Sequence, residues 1–263
     1  MSMYRRELLS LGILALVPQI RLTAQGQPLP SDVVSDLVAG NHILANENVL
    51  DGYGHISARH PQNKDRFLLS RSLAPESVTA GDIMEHDLNG APIDAKGRAP
   101  YKERFIHSEI YRARPDVKAV VHCHTPSLIP FGVVKVPLRP MYHQSAFLAA
   151  GVPVFEIRDA AGMTNMLIET QALGVALAKT LGNKPAVLMR GHGAVVVADT
   201  IPNVVGRSIY LDLNARIQLQ AIQLFEYAQR GTPITPISPE EAQKYAATDN
   251  YSRAWELWKK KAK

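Results

Sequence analysis

An α/β fold is what this sequence predicts: a central mixed or antiparallel-rich sheet with helices on both sides. Helical and strand-like segments alternate irregularly along the chain, and no glycine-rich dinucleotide fingerprint opens any of the helices. Hydrophobic residues make up 46% of the 263 and charged residues 20%, a globular balance with enough chain for one full core.

The first 26 residues stand apart from that core. Arg5 and Arg6 precede an apolar run over 8–17, too short to span a bilayer comfortably, and Ala24 follows in a polar stretch. This order predicts a signal peptide over 1–26, and residues 4–9 (Tyr-Arg-Arg-Glu-Leu-Leu) resemble a twin-arginine export signal. The expectation is a periplasmic or exported protein without a membrane span after cleavage. The alternative is a cytoplasmic protein with an amphipathic N-terminal helix.

Residues 27–235 read as one domain. Pro28 and Pro30 mark the entry, and Ser31-Asp32 caps a helix over 33–47 with Val33, Val34, Leu37, Val38, Ile43 and Leu44 as its apolar stripe. After the turn at 51–54, residues 55–59 read as a strand and 66–69 as its hairpin partner; another strand over 84–88 precedes Asn89-Gly90. Helical spacing of Phe105, Ile106, Ile110 and Tyr111 ends at Pro115-Asp116, and the apolar, β-branched run 117–124 follows as a buried strand. A short helix starts at Thr125-Pro126 and is cut by Pro130; 133–136 and 152–157 read as strands. Thr164-Asn165 opens a helix to 180, stopped by Gly182-Asn183. Two strands, 185–190 and 194–198, flank Gly191-His192-Gly193. The longest helix, 201–229, carries Val204, Val205, Ile209, Leu213, Ile217, Ala221 and Leu224 as a packing face, with Tyr210 and Arg216 on it. Pro233, Pro236 and Pro239 lead into a helical tail, 236–263, whose Trp255 and Trp258 are available for an oligomer contact.

The chemistry concentrates in residues 103–124 and at His192. Side chains alternate along a strand, so His122 and His124 share one face and Cys123 takes the other. Two imidazoles side by side at a strand end suit a metal ion. His192, between two glycines, sits on backbone free to turn sharply and to approach a site closely. Glu103 offers an oxygen ligand or an acid/base group, and His107 lies one helical turn on, as a supporting or packing residue. Ser70-Arg71-Ser72, directly after a strand, offers hydroxyls and a guanidinium fork for a carboxylate, and His55 at a strand start is a candidate substrate-facing residue.

Glu103-x-x-x-His107, then His122-x-His124 after Ala113-Arg114-Pro115-Asp116, then Gly191-His192-Gly193 after a strand: this series resembles the class II aldolase/adducin family over residues 31–231. The stretches 54–59, 69–76 and 188–193 are similar to its decarboxylase branch, the hydroxy-methylpyridine-dicarboxylate and dihydroxyphthalate decarboxylases. The resemblance implies the three-layer class II aldolase-like fold, with 27–235 as the catalytic domain and a homotetramer with sites near subunit interfaces. It also implies one divalent metal ion per subunit on His122, His124 and His192, with Glu103 as ligand or catalytic acid/base. Nitrogen-rich ligation fits Zn, Mn, Fe or Co. The expected reaction is a metal-dependent carbon–carbon lyase step on a small anionic substrate, a hydroxylated aromatic or heteroaromatic (di)carboxylate that loses CO2. The alternatives are an aldolase or epimerase on a sugar phosphate, against which Ser70-Arg71-Ser72 replaces the Thr/Gly phosphate loop of that branch, and a non-catalytic adducin-like binding protein.

Composition narrows the rest. The formal net charge of +5 is partly the lysine cluster at 259–263, and no basic run interleaved with aromatics forms a recognisable nucleic-acid module. Cys123 is the one cysteine, which excludes a disulfide within the chain; its strand position predicts a core thiol rather than a nucleophile.

Overall fold

The computed structural model describes residues 29–134, 136–231, 233–246 and 251–262; the signal peptide expected over 1–26 lies outside them. Among the described residues seven strands form one sheet: β1 (His55–Arg59), β2 (Arg66–Ser70), β3 (Ile83–Asp87), β4 (Ala119–Cys123), β5 (Val154–Phe155), β6 (Ala186–Met189) and β7 (Gly193–Ala198), in the order β3-β2-β1-β4-β7-β6-β5. Every neighbouring pair is antiparallel except β5 with β6. The sheet is thus mixed and antiparallel-rich, as expected.

Both faces are covered. Helices α2 (Arg104–Ala113) and α5 (Gln171–Leu181) pack Ile106, Ile110 and Leu177 against Val120, Val195 and Val197. On the opposite face α1 (Ser31–Asn46), α6 (Ile201–Tyr227) and α8 (Ser252–Lys261) pack Leu37, Val205 and Trp255 against Val121 and Val196. A strand with a helix layer on each side meets no water, which is why residues 119–121 are continuously apolar. The short helices α3 (Ile129–Val133), α4 (Ile157–Ala161) and α7 (Pro239–Ala246) lie in the connections.

Several expected elements differ. Helix α1 starts at Ser31 behind Pro30, so Ser31 is its first residue rather than its cap. Of the strand expected over 133–136, the described residues show none: Val133 ends α3 and Val134 is a bend. The strand over 152–157 shrinks to Val154–Phe155, because Glu156 caps α4 by accepting the Arg158 N–H. The helix expected from Thr164 begins only at Gln171. Thr164 and Asn165 instead accept the N–H groups of Met166 and Leu167, the local competition that makes such residues turn formers.

The inward stripe of α6 also departs from expectation in its second half. Leu213 and Leu224 are exposed, while Asp212, Asn214 and Gln218 are buried. Asn214 and Gln218 bond the backbone of Pro137, Arg139 and Met141, so the helix spends buried polar groups on holding that extended segment. The tail does not stand off: Trp255 and Trp258 are 4% and 6% exposed within the core shared by α1 and α6. Their expected oligomer contact is spent inside the chain.

Candidate metal centre

β4 delivers the first two imidazoles. His122 pairs with His55 across β1 and with Val195 across β7 and is fully buried; His124 follows one residue past the strand, on the same face. Their ring centroids are 4.7 Å apart. Cys123 points into the opposite core, where burial pushes its thiol above the usual range. His192 arrives from the β6–β7 turn. Gly191 has φ +65°, which suits it to the turn, and a Cβ on Gly193 would collide with the Cys123 carbonyl oxygen, so Gly193 is what lets β7 start hard against β4. Glu103 stands at the N-terminal cap position of α2, 7% exposed.

These four side chains converge, with one ligand atom of each within 4.8 Å of the others. His124 Nε2 is 2.9 Å from His122 Nε2 and 3.0 Å from His192 Nε2; Glu103 Oε2 is 3.5 Å from both of the latter. The outer ring nitrogens are already committed: His122 Nδ1 donates to the Ala194 carbonyl (3.1 Å) and His192 Nδ1 to the Met166 carbonyl (3.0 Å). A neutral imidazole carries one N–H, so the Nε2 lone pairs of His122 and His192 both face inward. His124 has at most one Nε2 proton to offer the two. Lone pairs crowded in this way, beside a carboxylate, fit a divalent cation as the missing electrophile.

Electrostatics agree. Burial by itself would raise the Glu103 carboxyl, but His122 and His192 outweigh it and hold the group well below the usual carboxylate range. Burial, then the neighbouring His122 and His192, lowers His124 to about 4. Glu103 Oε1 accepts the Ile168 N–H (2.8 Å), which fixes the other oxygen toward the imidazoles.

Of the remaining predicted residues, His55 lies against the cluster, its ring 5.2 Å from His122 and 4.5 Å from Tyr101. Ser70 is buried at the end of β2 and donates to the Tyr101 hydroxyl, which also contacts Leu73. The carboxylate grip expected of Arg71 is spent here on Asp82, at 2.6 Å through Nε. Ser72 is exposed, with its N–H on the Ala99 carbonyl. His124 opens onto a cleft of about 560 Å³ lined also by Asp51, Glu76, Thr125 and Arg216. A larger cavity of about 770 Å³, lined by Arg59, Lys118 and Trp255 among others, shares no residue with the cluster.

Residues 164–170, where the expected helix was to open, turn out to build the site through Met166 and Ile168. A hydrogen-bonded chain of His55, His107, Ser57 and Tyr111 was also not anticipated; its distances are 2.6, 2.6 and 2.8 Å. Two periodicities signal it, His55-x-Ser57-x-Arg59 on one strand face and Glu103, His107 and Tyr111 at every fourth helical position.

The profile of the class II aldolase and adducin N-terminal domain matches residues 35–219. The chain is 36% identical over 250 residues to decarboxylase tropJ of Talaromyces stipitatus, covering 88% of this chain and 94% of that one. It is 31% identical over 194 residues to the 3,4-dihydroxyphthalate decarboxylase of Arthrobacter keyseri, covering 68% and 74%. The structure of L-fuculose 1-phosphate aldolase from Glaciozyma antarctica superposes with a TM-score of 0.69 at 24% identity, covering 90% of this chain and 92% of that one, a likeness of fold.

Proposed function

This chain belongs to the class II aldolase and adducin family, and on that premise we propose that it is a divalent-metal-dependent carbon–carbon lyase, a decarboxylase of a hydroxylated aromatic or heteroaromatic carboxylate. The observation that carries the metal is the convergence of His122, His124, His192 and Glu103, whose inward lone pairs have no other partner to satisfy them all. What favours CO2 as the leaving group is the identity to two relatives named as decarboxylases.

The three imidazoles would hold the ion, with Glu103 beside them as a further ligand or as the acid/base. Bound there, a divalent cation supplies a Lewis acid for the negative charge that decarboxylation drives onto a substrate oxygen. The protein's own groups do the rest. Glu103, ionised at neutral pH, would take the substrate's hydroxyl proton and pass it to the ring carbon that bears the carboxylate; the bond to CO2 then breaks and its electron pair flows to the substrate oxygen. His55, beside His122, addresses a substrate oxygen. Ser70, fully buried, would act through the Tyr101 hydroxyl that it donates to, and Arg71 would have to exchange Asp82 for a substrate carboxylate. The homotetramer and twin-arginine export remain part of the proposal, tested by light scattering and by N-terminal sequencing of protein recovered from the periplasm.

The test is CO2 release by metal-loaded protein offered hydroxylated benzene and pyridine dicarboxylates, with sugar phosphates as controls. Release that a chelator abolishes and added metal restores is the expected result. Aldehyde from a sugar phosphate without CO2 from any acid would overturn the decarboxylase assignment. Retained turnover in metal-free His122→Ala would overturn the metal site.

A further inference from the structure

From the buried chain of His55, His107, Ser57 and Tyr111 we infer that His55 is held in one tautomer, with its proton on Nε2. It then faces the metal centre as a fixed N–H donor to an anionic substrate oxygen, and His107, Ser57 and Tyr111 are positioning residues that set this direction. The inference deepens the proposed function and rests on it for the identity of the acceptor.

The argument is one of proton inventory. Tyr111 is fully buried, and its hydroxyl has one hydrogen-bond partner among the described residues, Ser57 Oγ at 2.8 Å. Ser57 Oγ has two, Tyr111 and His107 Nδ1 at 2.6 Å. The second nitrogen of His107 meets His55 Nδ1 at 2.6 Å. If Tyr111 donates to Ser57, Ser57 donates to His107 Nδ1; His107 then carries its proton on Nε2 and donates to His55 Nδ1. Every donor between the four residues then has an acceptor, and the one proton left over lies on His55 Nε2, at the end of the chain away from His107, where a substrate oxygen can take it up. The reverse direction puts protons on His55 Nδ1 and His107 Nδ1. A hydroxyl proton, on Ser57 or on Tyr111, is then left in the core with no acceptor, which buried groups avoid.

The fold enforces the order. His55 and Ser57 alternate on β1, and His107 and Tyr111 stand one turn apart on α2, so the strand face and the helix face meet rung by rung. Phe67 stacks on His107 and tilts against Tyr111, closing the chain from the side. Among the described residues His55 Nε2 has no hydrogen-bond partner, and its ring lies against His122 and Tyr101.

Neutron diffraction from deuterium-exchanged crystals of the full chain reads the direction without reference to turnover. Deuterium on Nε2 of both His55 and His107 is expected, with none on their Nδ1 atoms. Deuterium on His55 Nδ1 would overturn the inference even if the protein proves to be a decarboxylase, and the expected pattern would stand even if the reaction proves to be another. As the functional arm, His55→Phe is expected to lower kcat/KM roughly 10- to 100-fold, the scale of one hydrogen bond to a charged group, with metal content unchanged. Ser57→Ala, which removes the hydroxyl that donates to His107 Nδ1, should lower it less and leave deuterium shared between the two nitrogens of His55. Full activity of folded His55→Phe would refute the donor role.

Discussion

Gly193→Ala tests whether the contact between β7 and β4 is what assembles the candidate metal centre. An added Cβ would collide with the Cys123 carbonyl oxygen and stand 3.0 Å from both the Cys123 carbonyl carbon and His124 Cα. All three are backbone atoms, so no rotamer change relieves the clash, and the strands must part at the Cys123↔Ala194 pair. That pair adjoins His124 and includes the Ala194 carbonyl that orients His122. Overpacking of this kind costs roughly 2 kcal/mol or more when backbone is the obstacle, and losing a group that orients a ligand weakens metal binding about 10- to 100-fold. Gly191→Ala is the control in the same turn. Its φ of +65° puts a side chain in left-handed backbone, yet the nearest atom to a new Cβ is Met166 Sδ at 4.0 Å. That strain costs about 1–2 kcal/mol without moving the strands. Urea unfolding and chelator competition for zinc would be measured on both. The reasoning fails if folded Gly193→Ala binds zinc as tightly as the parent, or if Gly191→Ala loses as much affinity.

Glu103→Gln keeps the shape and an acceptor for the Ile168 N–H but removes the charge; kcat should fall about 100- to 10,000-fold while zinc still binds, and a loss under tenfold would remove Glu103 from acid/base work. Trp255→Ala opens the core between α1 and α6 and should cost about 3–5 kcal/mol in urea; a cost under about 1 kcal/mol would mean the tail is not part of the core. Burial holds His86 neutral, with its imidazole lowered to about 4. Below the unfolded value near 6.5 the unfolded chain binds the proton first, so this group's contribution to stability is lost progressively from pH 6.5 to about 4. At pH 5 the loss is about 2 kcal/mol; His86→Phe should flatten the fall in unfolding midpoint between pH 7 and 5, and an unchanged slope would place the titration elsewhere.

Much of the fold was legible in local pattern. Alternation in 55–59 and the apolar run to Cys123 identify central strands because pleating and burial act residue by residue. The misread segments share a cause. Thr164-Asn165 looks like a helix cap, but its side chains close turns of their own, and the stop before Gln171 lets Met166 and Ile168 reach His192 and Glu103. Leu213 and Leu224 looked like core because periodicity counts apolar residues, whereas the inner face of α6 there bonds the backbone of a distant segment. No periodicity encodes that partner.

The sequence by itself nominated the candidate donors: two histidines on one strand face, a third between glycines, and a glutamate at a helix start, each suggested by local geometry and residue chemistry. Only the tertiary structure decided how those donors face one another. The register that sets His55 beside His122, the close approach of β7 to β4 at Gly193, and the carbonyls of Ala194 and Met166 that turn the imidazoles inward join residues far apart in the chain. The physical reason is that a hydrogen bond or a steric contact depends on distance in space, and the spacing of residues along a chain carries that distance only within a turn or a strand.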